Sequence, residues 1–340
     1  MKILRNGLMT VAAATTALAL SFGAQAADDQ VLKVGAASNL GGMVVFVAQD
    51  LGFFAKHGLD AKIEIRNTGS ALTKSLRAGE IDISLAAFSN IPAALERGLD
   101  LRGVAGYTGA VYRKTTSDNF VGIVAQPNSG INSIKDLKGK KVGVAFGTTG
   151  DLWLQSVLKA NGMSRNDITR INVRPPSFVS TFDSGGVDAQ VAWEPGLTRA
   201  ADKVKGSKII TRGGDYVCFC ALFHGSPERI YGDRKKTQAF VDAIAETAAF
   251  VRDPQNLDKI ASIGSRFVRG MTPELIKRTI KYVEFDPRLG DMTYKSFNQS
   301  VQLLIEQKKM KRPYDPKKYI DTSFIENTMK RHPEWFADLK

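Results

Sequence analysis

Val34-Gly35-Ala36-Ala37-Ser38-Asn39-Leu40-Gly41-Gly42 and Val142-Gly143-Val144-Ala145-Phe146-Gly147-Thr148-Thr149-Gly150 stand 108 residues apart (142 − 34) and share one design. Each starts as an apolar, strand-like run and ends in glycines with hydroxyl or amide side chains. A second pair, Ala78-Gly79-Glu80-Ile81-Asp82 and Ser184-Gly185-Gly186-Val187-Asp188, recurs at an offset of 106 (184 − 78) and heads a strand each time. Two matches at nearly equal spacing mark one supersecondary unit used twice. Two such open sheets would each present strand ends and helix starts to a shared crevice.

Working outward, residues 31–37 read as a buried strand and 42–50 as an apolar helix ending at Leu51-Gly52. Residues 61–67 alternate Ile63 and Ile65 with Glu64 and Arg66, the period of a strand. A helix at 70–78 stops at Gly79, a strand covers 81–87, a helix at 92–97 stops at Gly98, and a strand covers 101–107. The grammar then repeats, with strands at 121–125, 141–145, 168–173, 187–193 and 208–211 and helices at 151–160 and 177–182. Strand–helix–strand succession predicts parallel pairing with helices on both faces. Beyond 216–223 the segments 237–251, 257–267, 273–282 and 294–307 all read as helices, with Phe240, Ile244, Ala248 and Val251 on one face of the first. The expected fold class is α/β: two doubly wound lobes joined by two crossover segments, near 107–120 and 213–219. Residues 28–118 plus 220–340 form lobe 1, with the C-terminal helices packed on it, and 119–215 form lobe 2. Two crossings permit hinge closure.

The chain opens with a short basic head, Lys2 and Arg5, followed by a weakly polar to apolar run from Leu8 to Phe22. The run closes on Ala24-Gln25-Ala26, the small–x–small pattern that signal peptidase reads. A signal peptide is therefore expected at 1–26, with cleavage after Ala26 and a periplasmic location. The run is shorter than the ~20 apolar residues a spanning helix needs, and no cysteine stands at the cut to take a lipid. The formal charge is +13, or +11 without Lys2 and Arg5 (13 − 2), but the lysines are scattered in small sets such as Lys138, Lys140 and Lys141 without interleaved aromatics. Nucleic acid is not an expected partner, and a positive field favours encounter with anions. Only Cys218 and Cys220 exist. On one strand face their Cα atoms would lie ~6.5–7 Å apart, at the edge of disulfide geometry, so buried thiols are expected and a local bridge is the alternative.

Open sheets bind ligands where strands end and helices begin, because backbone N–H groups converge there and the helix dipole favours negative charge. Four such junctions are legible: Ser38-Asn39, Gly69-Ser70, Phe88-Ser89-Asn90, and Gly147-Thr148-Thr149-Gly150. These residue types also make ordinary caps and turns, and it is their convergence that nominates a site. Gly147–Gly150 reads as the best anion cradle; it lacks the Gly-Lys-Ser/Thr of a nucleotide loop, since Asp151 comes next. Trp193-Glu194-Pro195 ends a strand with a flat ring, a carboxylate and a helix-opening proline. Trp193 could wall a ligand or pack the lobe; Glu194 could bind an amine or charge the helix start. Tyr216, at the second crossing, adds a ring. His57, His224 and His332 stand in unrelated contexts, and there is no HExxH, no spaced Cys/His set and no Gly-x-Ser-x-Gly elbow. No catalytic residue, metal site or cofactor is expected, and the chain is not expected to be an enzyme.

From about Leu32 to Phe285 the chain resembles the nitrate/sulfonate/taurine type of periplasmic solute-binding proteins that feed ABC importers. The matching pieces are Ala48-Gln-Asp-Leu-Gly-Phe-Phe-Ala-Lys-His-Gly-Leu59, Leu76-Arg-Ala-Gly-Glu-Ile-Asp82, Asp136-Leu-Lys-Gly-Lys-Lys-Val142, Gly185-Gly-Val-Asp188 and Trp193-Glu-Pro195. The resemblance implies a type II periplasmic-binding-protein fold, closure on a small organic anion, and delivery to a membrane permease and its ATPase subunit; a monomer is the default expectation for a capture protein. The thiamine-pyrimidine synthase and pyrimidine-binding transport proteins share this fold and carry a segment ending Cys-Phe-Cys, matched here by Cys218-Phe219-Cys220. By that alignment the synthase's substrate histidine falls on Asn90 and its cofactor lysine on Ala86, neither of which can do that chemistry. A pyrimidine or aromatic ligand held by Phe88, Trp193 and Tyr216 is the alternative.

Overall fold

The computed structural model describes residues 31–87, 90–109, 119–217, 221–268 and 270–339. Its strands are β1 (Leu32–Ala37), β2 (Ala61–Arg66), β3 (Ile83–Ala87), β4 (Arg102–Thr108), β5 (Val121–Ala125), β6 (Lys141–Val144), β7 (Thr169–Asn172), β8 (Ala189–Trp193), β9 (Lys208–Arg212) and β10 (Ala221–Gly225). They form two five-stranded sheets, ordered β2-β1-β3-β10-β4 and β7-β6-β8-β5-β9. Place by place, the two orders are the same. The signal peptide expected at 1–26 and the Cys218-Phe219-Cys220 segment lie outside the described residues.

The repeat read from the sequence has a structural cause. Lys33 N–H, at the start of β1, donates to Asp82 Oδ2 at 2.8 Å, and Lys141 N–H, at the start of β6, donates to Asp188 Oδ2 at 2.7 Å. The backbone answers in kind, with Asp82 N to Lys33 O and Asp188 N to Lys141 O both at 2.8 Å. Asp82 thus ties β1 to β3, and Asp188 ties β6 to β8, each a pair of neighbouring parallel strands. The glycines ahead of them, Gly79 and Gly185, sit at φ 71° and 72°, the left-handed conformation that ends a helix. Motif and geometry recur together in both lobes.

One expectation fails. Parallel pairing holds for β1 with β2 and β3, and for β6 with β7 and β8, but β10 and β5 run antiparallel to both neighbours. These are the strands the chain enters after crossing between lobes. A crossing strand starts at the crevice end of its new sheet and runs away from it, against strands that end there. Helix–strand alternation in sequence carries no trace of that entry point.

Central strands β5, β8 and β10 are buried along their whole length, as both faces of each sheet are covered. The C-terminal helices cover the first sheet. Phe240 of the Arg234–Arg252 helix meets Phe223 of β10 edge-on at 5.1 Å and stacks on Phe54 at 6.0 Å. Phe267 stacks on Phe46 at 5.0 Å. The Arg234–Arg252 helix begins earlier than its apolar stripe because Asp233 caps it, accepting from Lys236 N at 2.9 Å. No helix among the described residues is long and apolar enough to cross a membrane.

Candidate functional site

The crevice ends of both sheets enclose a cavity with about 60 Å³ of room for the centres of water-sized spheres. At ~10–15 Å³ per water, that holds a guest of a few heavy atoms. Each wall is a strand end followed by a helix start. From the first sheet come Ala37, Asn39 and Gly41 around the end of β1; Thr68, Gly69 and Ser70 after β2; and Ala86, Ala87 and Asn90 around the end of β3. Thr148 and Thr149 follow β6, and Trp193 ends β8.

The side chains at these junctions are tied down locally. Asn39 Oδ1 accepts from Gly41 N at 2.8 Å, and Thr68 Oγ1 accepts from Ala71 N at 3.1 Å. Ser70 Oγ donates to Asn90 Oδ1 at 3.3 Å, and Thr148 Oγ1 donates to Ala145 O at 2.7 Å. Such bonds fix the loops so that the first turns of the Gly69–Arg77 and Thr149–Ala160 helices open on the cavity. First-turn N–H groups have no acceptor within their own helix, and the dipole adds roughly half a positive charge at each start. Among the described lining residues there is no Asp, Glu, Lys, Arg or His. Among the described lining residues, then, positive potential comes from backbone dipoles rather than charged side chains. Such a site suits a compact guest with negative charge and acceptor oxygens.

Three rings complete the walls: Tyr107, Phe120 and Trp193. Phe178 meets Trp193 edge-on at 5.1 Å, and Tyr107 leans on Phe223 at 5.2 Å. Burial drives the Tyr107 phenol above the ordinary tyrosine range, against the hydrogen bond to Thr108 that acts the other way. Tyr107 is therefore a neutral phenol at any working pH.

Of the residues nominated from sequence, Asn39, Ser70, Asn90, Thr148, Thr149 and Trp193 meet at this cavity. Phe88 and Ser89 lie outside the described residues. Ser38 and Glu194 line an adjoining outer crevice instead. The Glu194 carboxylate is fully buried and engaged: Arg212 Nη2 lies 2.6 Å from Oε1, Thr198 Oγ1 donates to Oε1 at 2.8 Å, and Thr198 N donates to Oε2 at 3.1 Å. It charges the start of the Gly196–Lys203 helix, and an amine on a guest would have to displace Arg212.

Gly147 turns with φ 71°, and its N–H donates to Asp151 Oδ2 at 3.2 Å, while Arg170 Nη1 holds Asp151 Oδ1 at 2.5 Å. The protein's own carboxylate thus occupies part of the expected cradle. Gly150 is buried in the first helical turn behind Thr149 and does not line the cavity. Tyr216 sets its ring against the edge of Trp153 at 6.3 Å, inside the second lobe, rather than at the cavity. Thr68, Tyr107, Thr108 and Phe120 line the cavity without having been nominated. The last three flank the first crossover, whose expected place between the lobes was the available signal.

The class is a two-lobed α/β protein with a guest-sized cavity between matched sheets. Residues 39–256 match the family model described as NMT1/THI5 like, and the chain belongs to that family. It is 26% identical over 300 residues to a Bacillus subtilis protein named for binding aliphatic sulfonates, with 85% of each chain covered. It is 26% identical over 270 residues to a 4-amino-5-hydroxymethyl-2-methylpyrimidine phosphate synthase of Saccharomyces cerevisiae, covering 75% of this chain and 71% of that one. The periplasmic aliphatic sulphonate binding protein SsuA from Escherichia coli has the same fold at TM-score 0.73 and 19% identity, over 86% of this chain and 97% of its own. The fold is that of periplasmic binding proteins.

Proposed function

We propose that this chain is the periplasmic substrate-binding component of an ABC importer. It captures a small organic anion of the sulfonate, taurine or nitrate class by lobe closure and hands it unchanged to a membrane permease with its ATPase subunit. The supporting observation is the cavity itself: two long-helix starts from opposite lobes face a space of a few heavy atoms with no charged side chain among the described lining residues. Asn90 and Ala86, the positions that the resemblance gives to the synthase's histidine and lysine, both line it. With an amide and a methyl there, the site lacks the histidine and lysine that the resemblance gives to the synthase. That favours capture over turnover.

Calorimetric titration with ethanesulfonate, taurine and nitrate is expected to give saturable one-to-one binding for at least one of them. Thr148→Leu, which adds bulk at a half-exposed position on the cavity wall, is expected to weaken that binding at least tenfold. A folded protein that binds none of the three would overturn the ligand class.

The rings of Tyr107, Phe120 and Trp193 support a second reading, in which the guest is a pyrimidine or another aromatic that stacks on them. Quenching of tryptophan fluorescence by pyrimidines, with indifference to sulfonates, would select it.

A further inference from the structure

A second crevice adjoins the cavity. Asn39 and Trp193 also line an outer crevice of about 590 Å³, whose walls come from both lobes. Its walls include Pro176 and Phe178 from one lobe and Met271 from the other. Two charged residues of the described set line it. Glu194 is neutralised by Arg212, as shown above. Arg199 is different. It is exposed, it projects from the Gly196–Lys203 helix, and its guanidinium atoms come within 3.3–3.5 Å of where a Cβ on Gly270 would stand, in the opposite lobe. Among the described residues its guanidinium has neither a carboxylate partner nor a hydrogen-bond acceptor.

An arginine left without a carboxylate among the described residues, on a crevice lined by both lobes and bordering the binding cavity at Asn39 and Trp193, is a receptor for a second negative group. We propose that this crevice is a second subsite for the same guest: Arg199 takes a distal acidic group, and the linking chain lies on the apolar walls. This rests on the reading of the inner cavity as an anion site and extends it from a compact monoanion to a two-headed acid. Among the described lining residues the inner cavity has no charged group to accept that second group, whereas the outer crevice offers Arg199. One molecule spanning both satisfies both.

Titration of the protein and of Arg199→Gln with 5-sulfopentanoate and with pentane-1-sulfonate tests this. The unaltered protein is expected to bind the two-headed acid about tenfold more tightly than the monoacid, and the advantage is expected to shrink as salt is raised. Arg199→Gln should lose the advantage while its affinity for pentane-1-sulfonate stays the same, and Arg199→Lys should recover part of it. Equal affinities in the unaltered protein, or an advantage that survives Arg199→Gln, would overturn the subsite alone. If the folded protein binds neither compound, the anion reading of the inner cavity falls and the subsite falls with it. Because Arg199 is exposed, the melting curve of each variant should match that of the unaltered protein.

Discussion

His224 shows what a single buried side chain imposes on the whole chain. It lies in the middle of β10 with no exposure, paired in register with Ser84 of β3 and Gly103 of β4. Its Nδ1 is 3.3 Å from Leu222 O, and its Nε2 has no hydrogen-bond partner among the described residues. Burial pushes its pKa down to about 4, against the weak pull of the Leu222 carbonyl. The folded protein therefore holds the neutral ring while the unfolded chain takes up a proton below about 6.5. Stability from this site is complete above pH 6.5 and falls as pH drops toward 4, by about 1.4 kcal/mol per pH unit. Urea midpoints at pH 7, 6 and 5 should show that slope, and His224→Gln should flatten it; an unchanged slope would exclude His224 as its source. Glu194 makes the complementary case. Replacing it with Ala leaves Arg212 without its buried carboxylate, and the expected loss is about 3–5 kcal/mol in a denaturation experiment. From sequence Glu194 could be read two ways, as ligand contact or helix charge. Which one holds depends on Arg212, eighteen residues further on (212 − 194), whose arrival beside it no local pattern announces.

Among the elements, the decisive bonds are those from Asp82 and Asp188, which repeat the same tie in each lobe. Asp82→Ala and Asp188→Ala should each destabilise by about 1.5–3 kcal/mol, the worth of a hydrogen bond to a charged group. Because the two sites lie in different lobes and share no partner, the double variant should show the sum to within about 0.5 kcal/mol. A double variant no weaker than either single one would show that the ties do not act independently. Strand and helix positions were legible here because the apolar runs are bounded by glycines that the backbone requires, as at Gly79 and Gly185. Strand direction was not legible for β5 and β10. Val121–Ala125 and Ala221–Gly225 are apolar throughout, and a strand buried on both faces has no alternation to reveal its neighbours. For the same reason the cavity floor at Tyr107, Thr108 and Phe120 was hidden: its residues gain a role only from where the crossover lands.

Over the whole molecule, the lobes meet through side chains that span the crevice. Arg212, held by Glu194, places its guanidinium 3.9 Å from the centre of the Tyr282 ring, just beyond the Pro273–Thr279 helix. Arg278 of that helix pairs with both oxygens of Asp202, at 3.0 and 2.9 Å, and Lys159 reaches Glu306 at 3.3 Å. Contacts made only when the lobes are close bias the equilibrium toward closure and raise apparent affinity by the same factor. Arg278→Ala removes an exposed pair, so ligand binding should weaken by no more than about fivefold, with a larger radius of gyration in the unliganded protein. A variant with unchanged affinity and unchanged scattering would show that this pair does not govern closure.

Capture without chemistry is tested most directly by native mass spectrometry of the folded protein after incubation with an equimolar mixture of short alkanesulfonates, taurine and pyrimidines. The expected spectrum shows one guest per chain, drawn from the sulfonates and identical in mass to the compound supplied. A chain that retains no guest, or one that carries a species matching none of the compounds added, would contradict it.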